Sequence, residues 1–266
     1  MINNDAEQTL QPVERDTLWD QVYAQLRDAL FAGKFEPGSR LVLRDLAQLL
    51  GTSITPVRDA VARLVANGTL ERGPRNTALV PDVSAVDMRH LIIVRTELEG
   101  RAAREAALNS DETSINSLKK RLSQMRVMIA EGHLDAYLDL HRQFHFGIYE
   151  MARIPILHDM IESLWLRCGP ALSFVIPDYV RLLKGTDHHL KLIDALIKQD
   201  PDAAEKAIVS DIEEAGQYLQ SLADEQGRIR RPSRKAKAAD VPKVREPTMG
   251  IKSISTLLNR PGFRGG

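Results

Sequence analysis

Three histidines and an aspartate carry the strongest metal chemistry in this 266-residue chain. His141 and His145 stand four residues apart, so on a helix both imidazoles lie on one face and can reach a single ion. That face also carries Leu138 and Ile148, which belong in a core. His189 shares its face with Leu192, Ile193 and Leu196, Asp211 with Ala204, Ala207, Ile208 and Ala215, and Arg95 with Leu91, Ile92, Leu98 and Ala102. Burying such groups unpaired is costly. The economical arrangement is one in which they meet around a shared partner. Three imidazoles and a carboxylate make a mixed nitrogen and oxygen set suited to a divalent transition metal such as Zn, Ni, Mn or Fe. Taken alone the i, i+4 pair is only suggestive, and a lone histidine such as His189 reads first as a satisfied core residue. His188 points roughly 100° away from His189, and His90, His133 and His158 read as surface or internally satisfied side chains.

Such groups must be held by rigid elements. From Ser84 to Ala223 the sequence predicts about six helices and no strand, with breaks near Asn109 to Asp111, Glu131-Gly132, Arg153 to Pro155, Pro177-Asp178 and Asp200-Pro201. Leu118, Leu122, Met125 and Ile129 illustrate the helical period within these segments. An array of this kind closes into a bundle, which can build a site from side chains on facing helices.

A different chemistry lies between Leu43 and Gly68. Leu43, Leu46, Ala47 and Leu50 recur at helical spacing, Gly51 ends that helix, and a second helix opens with Thr55 as N-cap candidate and Pro56 in its first turn. Val57, Ala60, Val61 and Leu64 form its inward stripe, leaving Arg58, Asp59 and Arg63 outward. Taken alone, the pair also fits two ordinary core helices. Its flanks point elsewhere. A preceding helix carries Leu18, Val22, Leu26, Ala29 and Leu30 and closes at Gly33, before a turn through Pro37 and Gly38. Downstream, Thr69 to Arg72 and Ala78 to Val80 read as two short strands around a Gly73-Pro74 turn carrying Arg72, Arg75 and Asn76. Helix, helix-turn-helix and wing together define a winged-helix domain, whose second helix enters a DNA major groove. Arg58 lies near the helix end that approaches base edges, where a bidentate contact to guanine is worth about 1–3 kcal/mol of discrimination.

These motifs, from about Leu18 to Val83, resemble the GntR-type transcription regulators, notably in Leu46-Ala47, Gly51 to Ser53 and Thr55 through Val61. The resemblance implies DNA contacts from Arg44, Ser53, Thr55 and Arg58, with Arg75 added from the wing. Two positions depart from the family pattern: Ile54 stands where an arginine is common, and Thr77 where the wing usually has glycine. Arg95 to Glu99, Phe144-His145, His189 to Ala195 and Ala203 to Ile212 are similar to the all-helical FCD effector domain of the FadR-type branch. There the resemblance implies a pocket metal held by an Asp, the histidine four residues after it, and two later histidines. This chain has His141 at the Asp position and Asp211 at the last His position, so the types are exchanged while the total of three His and one Asp is kept. Four protein ligands on an octahedral ion leave two positions for a small carboxylate. Arg95 could pair with that carboxylate through a charge-assisted fork, or with Glu99 one helical turn on.

The formal net charge is zero, yet residues 227 to 266 carry eleven Lys or Arg against Asp240 and Glu246, a balance of +9 offset by −9 in the rest of the chain. This basic, Pro- and Gly-punctuated tail reads as disordered, with non-specific attraction to DNA phosphates as its functional alternative. One cysteine, Cys168, excludes a disulfide framework and fits a small buried residue in a reducing cytoplasm. No apolar run reaches the roughly 18 residues of a membrane span, and the polar start, Met1 to Gln11, is no signal peptide. The expected fold is mainly α: a disordered 1–12, a winged helix-turn-helix domain over 13–83, an all-helical effector and dimerisation bundle over 84–223, and the tail over 224–266. The expected function is that of a cytoplasmic, homodimeric regulator, a repressor, not an enzyme, that binds double-stranded operator DNA under control of a small carboxylate at the metal-containing pocket. A metal-sensing regulator, a structural metal and a metal-dependent hydrolase are the alternatives. No HExxH-type motif or evident general base accompanies the ligands.

Overall fold

A computed structural model describes residues 18–172, 174 and 184–230, the side chains of 184–186 excepted. The expectations for residues 1–12, for the break at Pro177-Asp178 and for the tail beyond Arg230 lie outside the described residues. The N-terminal domain opens with α1 (Leu18–Phe31), followed by β1 (Arg40–Val42), α2 (Leu43–Leu49), α3 (Ile54–Ala66), β2 (Glu71–Arg72) and β3 (Thr77–Leu79). Val57, Ala60, Val61 and Leu64 of α3 and Val22, Leu26 and Leu30 of α1 are all buried, so the two inward stripes share one core. Gly51, at φ 64°, makes the left-handed turn between α2 and α3. The N-cap of α3 is Ser53, not Thr55. Its hydroxyl makes no capping bond, and Pro56 at the third helical position has no N–H to offer it.

The wing differs from its expected form in one respect: it is a three-stranded sheet of order β1-β3-β2, both pairings antiparallel. Arg40 pairs with Leu79 and Val42 with Thr77, so β1 ties the entrance of α2 to the wing. At its tip Arg75 and Asn76 adopt φ of 52° and 58°, and Asn76 accepts a hydrogen bond from the Leu43 amide. Gly73 is obligatory in this turn, since a Cβ there would collide with the Thr77 hydroxyl.

The second domain comprises α4 (Ala85–Asn109), α5 (Glu112–Glu131), α6 (Leu134–Met151), α7 (Pro155–Leu172), α8 (Lys184–Lys198) and α9 (Pro201–Ser221). Ser84, Asp111 and Asp200 cap α4, α5 and α9 by accepting from backbone N–H groups three residues on. Helix α9 lies along both α4 and α8. Gly100 of α4 faces Val209 and Gly216 of α9 faces Ile92, and these two small residues let the long helices approach.

The two domains are joined by more than their linker. Gly169 of α7 sits against the backbone of Leu30 and Phe31, Phe31 packs edge-on against Phe146, and Arg27 pairs with Glu162 at 3.1 Å. Arg167 donates to the carbonyl of Asn67 beyond α3. Residues 224–230, assigned from composition to the tail, are part of the folded molecule. Ile229 is buried and its amide donates to Val83, the Ala85 amide donates to Gly227, and Arg230 pairs with Asp82. Ile229 joins the buried apolar core, a role that the charge count of the tail obscured.

Candidate metal centre and nucleic-acid interface

Helices α6, α8 and α9 bring His141, His145, His189 and Asp211 together, with one ligand atom from each lying within 4.8 Å of all the others. The Nε2 of His145 is 3.1 Å from that of His141 and 3.3 Å from that of His189. Asp211 Oδ2 lies 3.4 Å from His145 Nε2 and 3.6 Å from His189 Nε2. His145, His189 and Asp211 are buried, and His141 is partly so. Burial holds the His141 imidazole neutral down to about pH 3, with His189 and Arg95 adding to the effect against the pull of Asp211. His145 is held well below the ordinary imidazole range by burial first, then by His141. Burial works the other way on Asp211, but the neighbouring imidazoles, His189 foremost, outweigh it and keep the carboxylate ionised far into acid. Neutral imidazole and ionised carboxylate are the forms a metal ion requires. Ring protons can bridge some of these four contacts but not all of them at once, and the mixed nitrogen and oxygen donor set is one that fits a divalent cation. Such an ion would supply Lewis-acid binding of a ligand oxygen.

Arg95 is buried beside this cluster and its fork is in use. Its Nε donates to Glu99 Oε1 at 2.5 Å and an Nη to Glu99 Oε2 at 3.2 Å, while the guanidinium lies 4.9 Å over the Trp165 ring. Burial opposes the charge on Arg95, and Glu99 more than restores it. Of the two roles open to Arg95, the pair with Glu99 is the one formed. Glu99 also accepts from the Tyr149 hydroxyl, and that hydroxyl stands 3.1 Å from His145 Nδ1. Trp165 packs on both His141 and His145. Sequence reasoning missed Tyr149 and Trp165. Tyr149, four residues after His145, shares its helical face and was open to discovery; Trp165 carried no comparable signal.

Other histidines behave as expected. His90 and His133 are exposed, His158 packs edge-on against Phe146, and His188 pairs with Glu214 at 2.8 Å. Cys168 is buried, and burial pushes its thiol up.

On the first domain, Arg44, Ser53, Thr55, Arg58 and Arg75 are all exposed. Arg44 is on the first turn of α2, Ser53 and Thr55 open α3, Arg58 follows one turn in, and Arg75 tops the wing. A cleft of about 250 Å³ between α3 and the wing is bordered by Arg58, Arg72 and Asn76. Arg63 points outward too, and its guanidinium lies 4.2 Å over the Tyr23 ring of α1.

A winged helix followed by an all-helical domain with a buried His/Asp cluster defines a class of DNA-binding regulator. Residues 18–80 match the bacterial regulatory proteins of the gntR family and residues 90–214 match the FCD domain. The chain belongs to the GntR family of bacterial regulatory proteins, with an FCD domain after the winged helix. It is 35% identical to the HTH-type transcriptional regulator McbR of Escherichia coli K12 over 155 residues, 58% of this chain and 70% of that protein. It is 28% identical to the transcriptional repressor RspR of the same organism over 209 residues, 77% of this chain and 90% of that one. The solved structure of E. coli McbR/YncC has a TM-score of 0.73 at 30% identity, covering 77% of this chain and 98% of the other. A regulator from Rhodococcus sp. RHA1, at TM-score 0.64 and 20% identity, shares the fold. The chain is thus a DNA-binding transcription regulator, and no helix among the described residues is long and apolar enough to cross a membrane.

Proposed function

We propose that this chain is a cytoplasmic, homodimeric repressor whose grip on double-stranded operator DNA is set by a small carboxylate bound at a divalent Zn, Ni, Mn or Fe ion on His141, His145, His189 and Asp211. The observation that carries this reading is the meeting of three imidazole nitrogens and one carboxylate oxygen, with four contacts of 3.1–3.6 Å among them, inside the domain packed on the winged helix. Arg44, Ser53, Thr55, Arg58 and Arg75 form the DNA-reading face, and two such faces would meet two half-sites of a near-palindromic operator. Ile54 gives this face an atypical side chain, so the operator need not follow the family's usual one. The repressor title of RspR supports the sign of regulation. A carboxylate at the ion's open positions would shift DNA affinity only through its differential affinity for two domain arrangements, typically about 1–3 kcal/mol. Arg95 is the neighbouring cation that would favour such an anion.

A second reading, in which the ion itself is the signal, is favoured by one observation: Glu99 already occupies the fork of Arg95. DNA affinity that follows free metal with no organic acid present would select it. The metal centre is tested by elemental mass spectrometry on the purified full chain. One divalent ion per wild-type chain and loss of that ion in His145→Ala is the expected result; full occupancy in His145→Ala would remove this ligand set.

A further inference from the structure

The contacts around His145 constrain where its ring proton sits. Arg95 is a donor only and spends two N–H groups on the two oxygens of Glu99. Glu99, so paired, is an acceptor, and it is fully buried. The Tyr149 hydroxyl has one proton, which it donates to Glu99 Oε2. What remains toward His145 Nδ1, 3.1 Å away, is the lone-pair side of the tyrosine oxygen. Nδ1 must therefore be the N–H of the neutral ring, since a bare Nδ1 would face another acceptor in a buried site.

We propose that the chain Arg95–Glu99–Tyr149 fixes the tautomer of His145, so that Nε2 presents its lone pair to the point where His141, His189 and Asp211 converge. Arg95, Glu99 and Tyr149 are then positioning residues for the cation site. Arg95 acts through Glu99 and Tyr149, three contacts removed from the ring. The inference rests on the metal-centre reading for its consequence, but the tautomer itself does not depend on any bound ion. Substitutions of groups that orient metal-bound histidines typically cost about 10- to 100-fold in metal affinity.

Glu99→Gln separates this role from simple packing. Arg95 would claim the carboxamide oxygen, leaving the NH₂ toward Tyr149; the hydroxyl proton would turn to His145 Nδ1 and the ring proton would move to Nε2. Tyr149→Phe, which keeps the ring and removes the oxygen, is the second variant should Glu99→Gln fail to fold. The test is ¹⁵N–¹H correlation of the imidazoles in chelator-treated full chain, His145 being assigned by its loss in His145→Gln, together with Co(II) and Zn(II) affinities from chelator competition. The expected result is an Nδ1–H tautomer for wild-type His145, an Nε2–H tautomer in Glu99→Gln, and metal affinity lowered about 10- to 100-fold in Glu99→Gln and Tyr149→Phe. An Nε2–H tautomer in the wild type overturns the proposal, as does unchanged affinity in both variants. A wild type with the Nδ1–H tautomer that binds none of these ions sustains the tautomer assignment and overturns the metal-centre reading alone.

Discussion

His145 uses both ring nitrogens, Nε2 toward three other ligand atoms and Nδ1 toward Tyr149, and this double commitment has a measurable cost in acid. His141 is the simplest case, because its folded pKa is about 3 while an unfolded histidine titrates near 6.5. Below about pH 6.5 the unfolded chain takes up a proton that the folded site refuses, so stability is full above that pH and falls as pH drops toward 3. Metal affinity falls in the same direction. In urea denaturation of chelator-treated protein, the midpoint should be lower at pH 4.5 than at pH 7.5, and less so in His141→Gln. A midpoint that does not move with pH would show that His141 is not held neutral. The i, i+4 spacing of His141 and His145 and the apolar faces around His189 and Asp211 made these four residues legible, because helical period alone decides which side chains point inward. The Tyr149 contact with Glu99 spans 50 residues, and no local pattern records such a meeting.

Among the helices, α7 has the most to do with both domains. Trp165 lies on the histidine cluster and the Arg95 guanidinium, while Gly169, one turn on, touches the backbone of α1. A Cβ at Gly169 would stand 2.7 Å from the Leu30 carbonyl oxygen, a contact that backbone cannot relieve cheaply. Gly169→Ala should therefore cost about 1–3 kcal/mol in urea unfolding; no loss would mean that the junction between domains yields easily. Helix α3 makes a complementary prediction. Arg58 is exposed and forms no ion pair among the described residues, so Arg58→Ala should leave the circular dichroism unchanged. It should lower specific DNA affinity by about 1–3 kcal/mol per half-site, measured by gel shift. Both long helical patterns and the helix-turn-helix were readable because each has a period and a stop signal. Strand β1 was not, since three residues are too few to show alternation, and its pairing partner β3 lies some forty residues downstream.

At the scale of the molecule, the winged helix and the domain holding the His/Asp cluster meet at one junction, where the linker at Pro81 to Ala85 is held by the return of residues 224–230. Composition placed those residues with the basic tail, because charge is counted along the chain whereas the burial of Ile229 depends on where α9 delivers it. Under the proposed function, this linker is where a ligand bound in the bundle would alter the setting of the winged helix. The decisive measurement is fluorescence anisotropy on a DNA fragment selected from genomic sequence by the full chain, metal-loaded, titrated with and without small carboxylic acids. An acid that changes wild-type affinity by about 5- to 150-fold, with no response from His145→Ala, is the expected result. Wild-type affinity indifferent to both metal and acids, or an equal response from His145→Ala, would contradict regulation through this site.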